Sequence, residues 1–336
     1  MSNFHSKNIL ITGADGFIGS HLTETLAAAG ANVTALAQYN SFGKIGWLDD
    51  LPGDLKPKIN IQAGDICDPH LIRNLVNGNE IVFHLAALIG IPYSYVSPQS
   101  YIETNVGGTL NVLEACRNNR GVKLVHTSTS EVYGTAIFPP ISETHPLQAQ
   151  SPYSASKIGA DHLVQSYQNS FDVDAVILRP FNTYGPRQSE RAVIPTIIRQ
   201  LLDPECKTIK LGSIDPVRDF NYIDDTVNAF LTLSTSHNAR VGQVYNVGSG
   251  RGISIEKTIK LLMDITGIKK PIEAEKKRIR PVKSEVHELI ADATKLKKDS
   301  NWQSKTSLQD GLTKTVEWWQ NRFKRENKRS QFKYSI

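Results

Sequence analysis

Cysteine is scarce in this chain. Cys67, Cys116 and Cys206 lie far apart, and no two have the spacing of a metal site or a disulfide framework. All three are expected to be small buried residues, and the expected setting is a reducing one, the cytoplasm. Long apolar runs are missing too: none approaches the ~20 residues of a membrane-spanning helix, so no membrane association is expected. The opening MSNFHSKNILITG passes at once into a strand-like run, so no secretory leader is expected. There is no internal repeat, no low-complexity linker and no cluster of residues that implies a metal.

What is present suits a globular protein with a substantial core. The 336 residues are 40% hydrophobic, the mean hydropathy is −0.29, and the length suggests about two domains. Charge is uneven: residues 269–336 hold 18 Lys and Arg against 9 Asp and Glu, and the remainder holds 20 against 24. A basic tail can attract nucleic acid, an acidic membrane or a phosphorylated substrate. Segments such as KLKKD and RFKRENKR read more simply as exposed helix, so no nucleic-acid partner is expected.

Six apolar strand-like runs alternate with helical patterns up to about residue 180: KNILITG, NVTALAQ, INIQAGDI, EIVFHLAAL, VKLVHTSTS and DAVILRPFN. Continuous apolar strands separated by amphipathic helices predict an α/β fold, a doubly wound parallel sheet covered on both faces. The expected division is a Rossmann-type dinucleotide-binding domain over 1–180, to which later segments return, and a smaller, interleaved substrate lobe over 181–330. Ligands of such sheets sit beyond the carboxyl ends of the strands.

In ITGADGFIGSH, Gly13, Gly16 and Gly19 follow the first strand and open a helix. This spacing allows a tight turn, close approach of backbone to a pyrophosphate, and close helix–strand packing. Phe17 and Ile18 share that turn and Gln38 ends the second strand. Asp65 and Ile66 end the third strand, where a carboxylate can accept from an adenine amino group or merely cap a turn; Leu85, Ala86 and Ala87 end the fourth. All are expected to contact NAD or NADP. The second strand closes on Gln38, Tyr39, Asn40 and Ser41 with neither a carboxylate for the ribose nor an arginine for a 2′-phosphate, so the choice between the two cofactors stays open.

SPYSASK sets Tyr153 and Lys157 four residues apart on one helical face. An ammonium there is expected to lower the tyrosine pKa and make the phenolate a base for an alcohol. Taken with HLAA, TSTSEVYG and RPFNTYGPRQ, these motifs resemble the extended short-chain dehydrogenase/reductases acting on nucleotide sugars, and the similarity covers nearly the whole chain. The resemblance implies a tightly held NAD or NADP regenerated in each turnover, a nucleotide-sugar substrate, and a homodimer joined through a four-helix bundle. It also implies that Thr129 assists Tyr153 and Lys157 in oxidoreduction, and that Asn182, Arg187, Arg218 and Arg280 hold the nucleotide and its diphosphate.

Glu131 stands where the 4,6-dehydratases of this superfamily carry a glutamate that removes the C5 proton. Ser130 replaces the aspartic acid of the dTDP-glucose enzymes, and Thr-Ser-Glu is similar to the GDP-mannose 4,6-dehydratases. The longer blocks IPYSYVSPQSYIETNVGGTLNVLEACR and FNTYGPRQSERAVIPTIIRQLL are most similar to the legionaminic-acid-pathway dehydratases. The expected reaction is therefore conversion of GDP- or UDP-N-acetylglucosamine to its 4-keto-6-deoxy product. A 4-epimerase and a UDP-glucuronate decarboxylase of the same superfamily are the alternatives, and a catalytically silent cofactor-binding protein a distant one.

Overall fold

The structure is a computed structural model and describes residues 2–275, 278, 281 and 284–325. The chain begins with β1 (Asn8–Thr12), α1 (Phe17–Ala28), β2 (Asn32–Gln38), β3 (Ile59–Gly64), α2 (Pro69–Val76) and β4 (Ile81–His84). Next come α3 (Ile91–Val96), α4 (Pro98–Tyr101), a π-helical turn at Ile102–Gly107 and α5 (Gly108–Asn118). Then follow β5 (Lys123–Thr127), α6 (Pro152–Phe171), β6 (Ala175–Pro180), β7 (Asn182–Tyr184), α7 (Val193–Leu202), β8 (Ile209–Leu211) and β9 (Val217–Tyr222). The remainder forms α8 (Ile223–Thr235), β10 (Val244–Val247), β11 (Gly252–Ser254), α9 (Ile255–Thr266), β12 (Ile272–Ala274), β13 (Glu288–Leu289), α10 (Thr294–Ser300) and α11 (Leu308–Arg325).

Seven strands form one parallel sheet in the order β10-β6-β5-β4-β1-β2-β3. The order reverses at β1 and β4, which opens a crevice at their carboxyl ends, as the strand–helix alternation predicts. The strands read as unbroken apolar runs because both faces are covered. Ile9, Ile11, Phe83 and Val125 pack into one core layer, while Leu10, Val82 and Leu124 pack into the other. Successive side chains point to opposite faces, so a single run feeds both layers.

Chain beyond residue 180 does two things. β10 returns to the edge of the main sheet, with Val244 opposite Ile177, and α8 sets Phe230 edge-on to Phe83, 6.2 Å between ring centres. The rest makes two small sheets, β11-β9-β13 with β7 on β9, and β12 on β8. No helix among the described residues is long and apolar enough to cross a membrane.

Most strands stop short of the apolar patterns that announce them. EIVFHLAAL is strand only through His84, and VKLVHTSTS only through Thr127. One more ladder bond follows each end, Leu85 N to Thr12 O and Ser128 N to Leu178 O; after β4 the amides then turn to side chains, Ala86 N donating to Thr12 Oγ1 and Leu88 N to Asn105 Oδ1. Between α4 and α5 the helical stretch SYIETNVGGTLNVLEACRNN carries the π turn near its start. That turn widens the helix at Asn105, whose amide reaches both Leu88 O and Ser156 Oγ.

Candidate active site

The loop after β1 is built for close contact. Gly13 has a φ of +67°, and a Cβ there would lie 2.7 Å from Ala86 N. At Gly19 a Cβ would meet Gly13 O at 2.1 Å, so α1 touches the turn backbone to backbone. Gly16 caps α1 with no side chain bonded to the helix start. The first-turn amides of Phe17, Ile18 and Gly19 therefore face outward at the positive end of a twelve-residue helix, an arrangement suited to a pyrophosphate.

Around that turn the other expected cofactor residues take definite positions. Leu85, Ala86 and Ala87 follow β4 directly against Gly13. Ile66 packs on α5 under Gly108, and its carbonyl accepts from Asn111. Asp65 Oδ1 accepts from Cys67 N at 2.9 Å, closing the turn ahead of α2. Gln38 N donates to Asp15 Oδ2 at 3.3 Å, so a carboxylate from the glycine loop reaches the end of β2. Nothing in the strand pattern announces that meeting, because it depends on how the loop folds back.

At the end of β5 the chain turns into a short 3-10 helix, Ser130–Tyr133, capped by Thr129, whose Oγ1 accepts from Glu131 N. Opposite stands the start of α6, fixed by a capping box between Ser151 and Ser154. This brings Thr129 into hydrogen-bond contact with the Tyr153 phenol, with the Glu131 carboxylate close enough for its charge to act on that phenol. Ser130 is buried at 3% exposure. Lys157 Nζ donates to Thr127 O at 2.7 Å. Tyr101 lies edge-on to Tyr153, its hydroxyl bonded to Gly90 O.

Electrostatics correct one expectation. Burial drives the Tyr153 phenol well above its ordinary range; Thr129 opposes this, and the charges of Glu131, Tyr101 and Asp161 add to it. The ammonium expected to lower it is spent on the Thr127 carbonyl. Burial pulls Lys157 down to about 8, with Asp161 acting in the other direction. Asp161 itself is a buried hub that the sequence reading missed. Its Oδ2 accepts from Ser128 Oγ and from Arg179 Nε and Nη2, and its Oδ1 lies 3.3 Å from His126 Nε2. Burial alone would raise that carboxyl, but the contact with His126 and the charges of Arg179, His126 and Lys157 hold it down at about 2. The only sequence sign of the hub is spacing: Asp161 follows Lys157 by one helical turn.

On the far side of the crevice, β7 pairs with β9, Asn182 opposite Phe220. Arg218, two residues earlier on β9, shares the face of Phe220. Asn182 Oδ1 is buried without a hydrogen-bond partner. Arg218 donates to Val217 O and pairs with Glu285 at 3.6 Å. Arg187 donates through Nη2 to Glu24 of α1 at 2.5 Å, while its Nη1 is buried without a hydrogen-bond partner; beside it His21 meets Pro186 O. Arg280 lies outside the described residues.

With this geometry in view, the family described as GDP-mannose 4,6 dehydratase matches residues 10–315. The chain is similar to dTDP-glucose 4,6-dehydratase of Streptomyces griseus, 32% identical over 94% of each chain. Among solved structures it is similar to dTDP-glucose 4,6-dehydratase of Bacillus anthracis in complex with NAD, with a TM-score of 0.83, 26% identity, and 95% and 98% of the two chains covered. It is also similar to a UDP-N-acetylglucosamine 4-epimerase of Methanobrevibacter ruminantium M1 in complex with UDP-N-acetylmuramic acid, with a TM-score of 0.85, 28% identity and 95% and 99% coverage.

Proposed function

We propose that this chain, which belongs to the GDP-mannose 4,6-dehydratase family, is a nucleotide-sugar 4,6-dehydratase acting on GDP- or UDP-N-acetylglucosamine. Membership makes it a nucleotide-sugar dehydratase or epimerase of the short-chain dehydrogenase/reductase type. The finer reading is supported by one observation, the placement of Glu131 on the short turn capped by Thr129, near enough to Tyr153 for its charge to act on that phenol. A C4 epimerase has no proton for such a group to move, whereas elimination across C5 and C6 requires one.

The residues present fit a dinucleotide. Gly13 and Gly19 leave a turn that any Cβ would fill, and the start of α1 offers uncapped amides. We assign the pyrophosphate to Gly16, Phe17, Ile18 and Gly19, the adenosine half to Gln38, Asp65 and Ile66, and the inner half to Leu85, Ala86, Ala87, Tyr153 and Lys157. When bound, the nicotinamide supplies the acceptor, and later the donor, of one hydride, and its positive charge favours the phenolate. Tyr153 takes the proton of the sugar C4 hydroxyl, steadied by Thr129. Lys157 holds its ammonium one turn along α6. Once C4 is a ketone, the C5–H is acidic, and Glu131 removes that proton. Glu131 then returns a proton to the departing C6 hydroxyl, which leaves as water, and Ser130 positions the carboxylate from the buried side; the C5–C6 double bond so formed is saturated by return of the hydride to C6 and of a proton to C5.

Asn182, with its orphaned oxygen, and Arg218 are assigned to the nucleotide and diphosphate, and Arg280, outside the described residues, is assigned there on the resemblance alone. Arg187 is assigned to the same diphosphate through its unpartnered Nη1, with Nη2 held by Glu24 of α1. Exposed Ile102, Leu110 and Phe171 support a homodimer through α5 and α6, four helices in all. The acetamido sugar is supported by the similarity to a UDP-N-acetylglucosamine enzyme, and the same similarity keeps 4-epimerisation as the second reading.

Incubation with a panel of UDP- and GDP-sugars, read by product mass, tests the reaction. Loss of one water supports dehydration, loss of carbon dioxide means decarboxylation, and an unchanged mass with altered stereochemistry means epimerisation. Glu131→Gln is expected to cut water elimination by about 100-fold or more while a single round of C4 oxidation survives. Full turnover by that variant would sink the assignment.

A further inference from the structure

The end of β2 lacks the carboxylate that reads an adenosine ribose, yet a carboxylate is there in space. Asp15 sits between Gly13 and Gly16, and its Oδ2 accepts from Gln38 N at 3.3 Å. The loop is held to β2 on both sides of that bond: Ala14 N donates to Leu36 O at 3.1 Å, and Trp47 N donates to Asp15 O at 3.0 Å. Asp15 is thus fixed where a β2 acidic residue would have to point, and no cation pairs with it among the described residues.

Of the polar side chains at this strand end, Asn40 is occupied within its own loop, and Lys44 is the one cation between Gln38 and Asp50. Asn40 spends its amide within its own loop, Nδ2 donating to Gln38 O and Lys44 O and Oδ1 accepting from Phe42 N and Lys44 N. No arginine lies between Gln38 and Asp50. Asp15 is half-buried, which pushes its carboxyl up from the usual range while screening its charge less than open water would.

We propose that Asp15 selects the cofactor: its carboxylate accepts from the adenosine ribose hydroxyls and repels a 2′-phosphate, so the chain takes NAD over NADP. This rests on the reading of the glycine loop as the dinucleotide site. It moves the selecting carboxylate from the strand end to the loop that also holds the pyrophosphate. One short segment then fixes both the place and the identity of the cofactor.

The test is binding rather than turnover. Nucleotide released from the purified protein by denaturation is identified by mass, and stripped protein is titrated with NAD and with NADP by calorimetry. Wild-type protein is expected to release NAD and to bind it about 100-fold more tightly than NADP. Asp15→Asn should weaken NAD about tenfold and bring the ratio close to one. Asp15→Ser, which keeps a hydroxyl acceptor for Gln38 N, serves where the asparagine disturbs the loop, and circular dichroism monitors the fold of both. Equal binding of both cofactors by wild-type protein, or an unchanged ratio in a folded variant, overturns the proposal. Failure of wild-type protein to bind either dinucleotide overturns the glycine-loop reading itself.

Discussion

In the proposed reaction Glu131 would carry the C5 and C6 proton transfers on one carboxylate, since Ser130 beside it is too weak an acid to donate. A single group can do both only if the proton taken from C5 is the one handed to the C6 oxygen. Lys157 sets the other limit on rate. Its ammonium is buried, and its pKa is down at about 8. Lysine is charged below its pKa, so activity that needs the ammonium is present below about 8 and declines above it. We expect kcat/KM to fall roughly tenfold per pH unit beyond that point. Lys157→Arg, always charged, should be slower throughout but flat over the same range; a wild-type profile flat to high pH would remove Lys157 from the reaction. Residues such as Thr129, Tyr153 and Lys157 were legible because their relation is local, a strand end and one helical turn. Asp15 and Asp161 were not, because each acquires its meaning from a partner on another element: Gln38 for the first, Arg179 and His126 for the second.

Among elements, the strand–turn–helix formed by β1 and α1 is the least forgiving. A methyl at Gly19 would lie 2.1 Å from Gly13 O, and a backbone atom cannot rotate away as a side chain can. Gly19→Ala is expected to cost about 1–3 kcal/mol in urea unfolding and to release bound cofactor; unchanged stability with full retention would show that the turn yields. The glycine spacing announced this element fully, because sterics alone dictate it. The helix before α5 was less legible: its apolar rhythm continues through Asn105, and nothing local marks the π turn. The turn exists because Asn105 must satisfy Leu88 and Ser156 together. Strand ends were over-read for a related reason, since apolar residues continue past the last ladder bond into loops whose amides bond to side chains.

In the whole molecule, acid acts through buried imidazoles. Burial, with the nearby Arg187, lowers His21 from 6.5 to about 4, and burial likewise lowers His84 and His126. The unfolded chain binds protons that the folded chain refuses, so stability is lost as pH falls below 6.5 and goes on falling until His21 charges. His21 alone should contribute about 2 kcal/mol of loss by pH ~5, and urea melts at pH 7 and 5 for wild type and His21→Gln would measure it. The parallel sheet was legible from alternation, but the closing of the molecule was not, for it depends on residues distant in sequence. Trp318 of α11 packs on Trp47, 5.6 Å between ring centres, and Arg322 lies over both rings and meets Asp50. Trp47 in turn bonds to Asp15. A ribosome makes the two sides of this clasp far apart in time. The sheet can assemble on the nascent chain while α11 is still untranslated, but the loop beside the glycine turn gains its brace only when α11 emerges. A product cut short before α11 would own the cradle without the clasp.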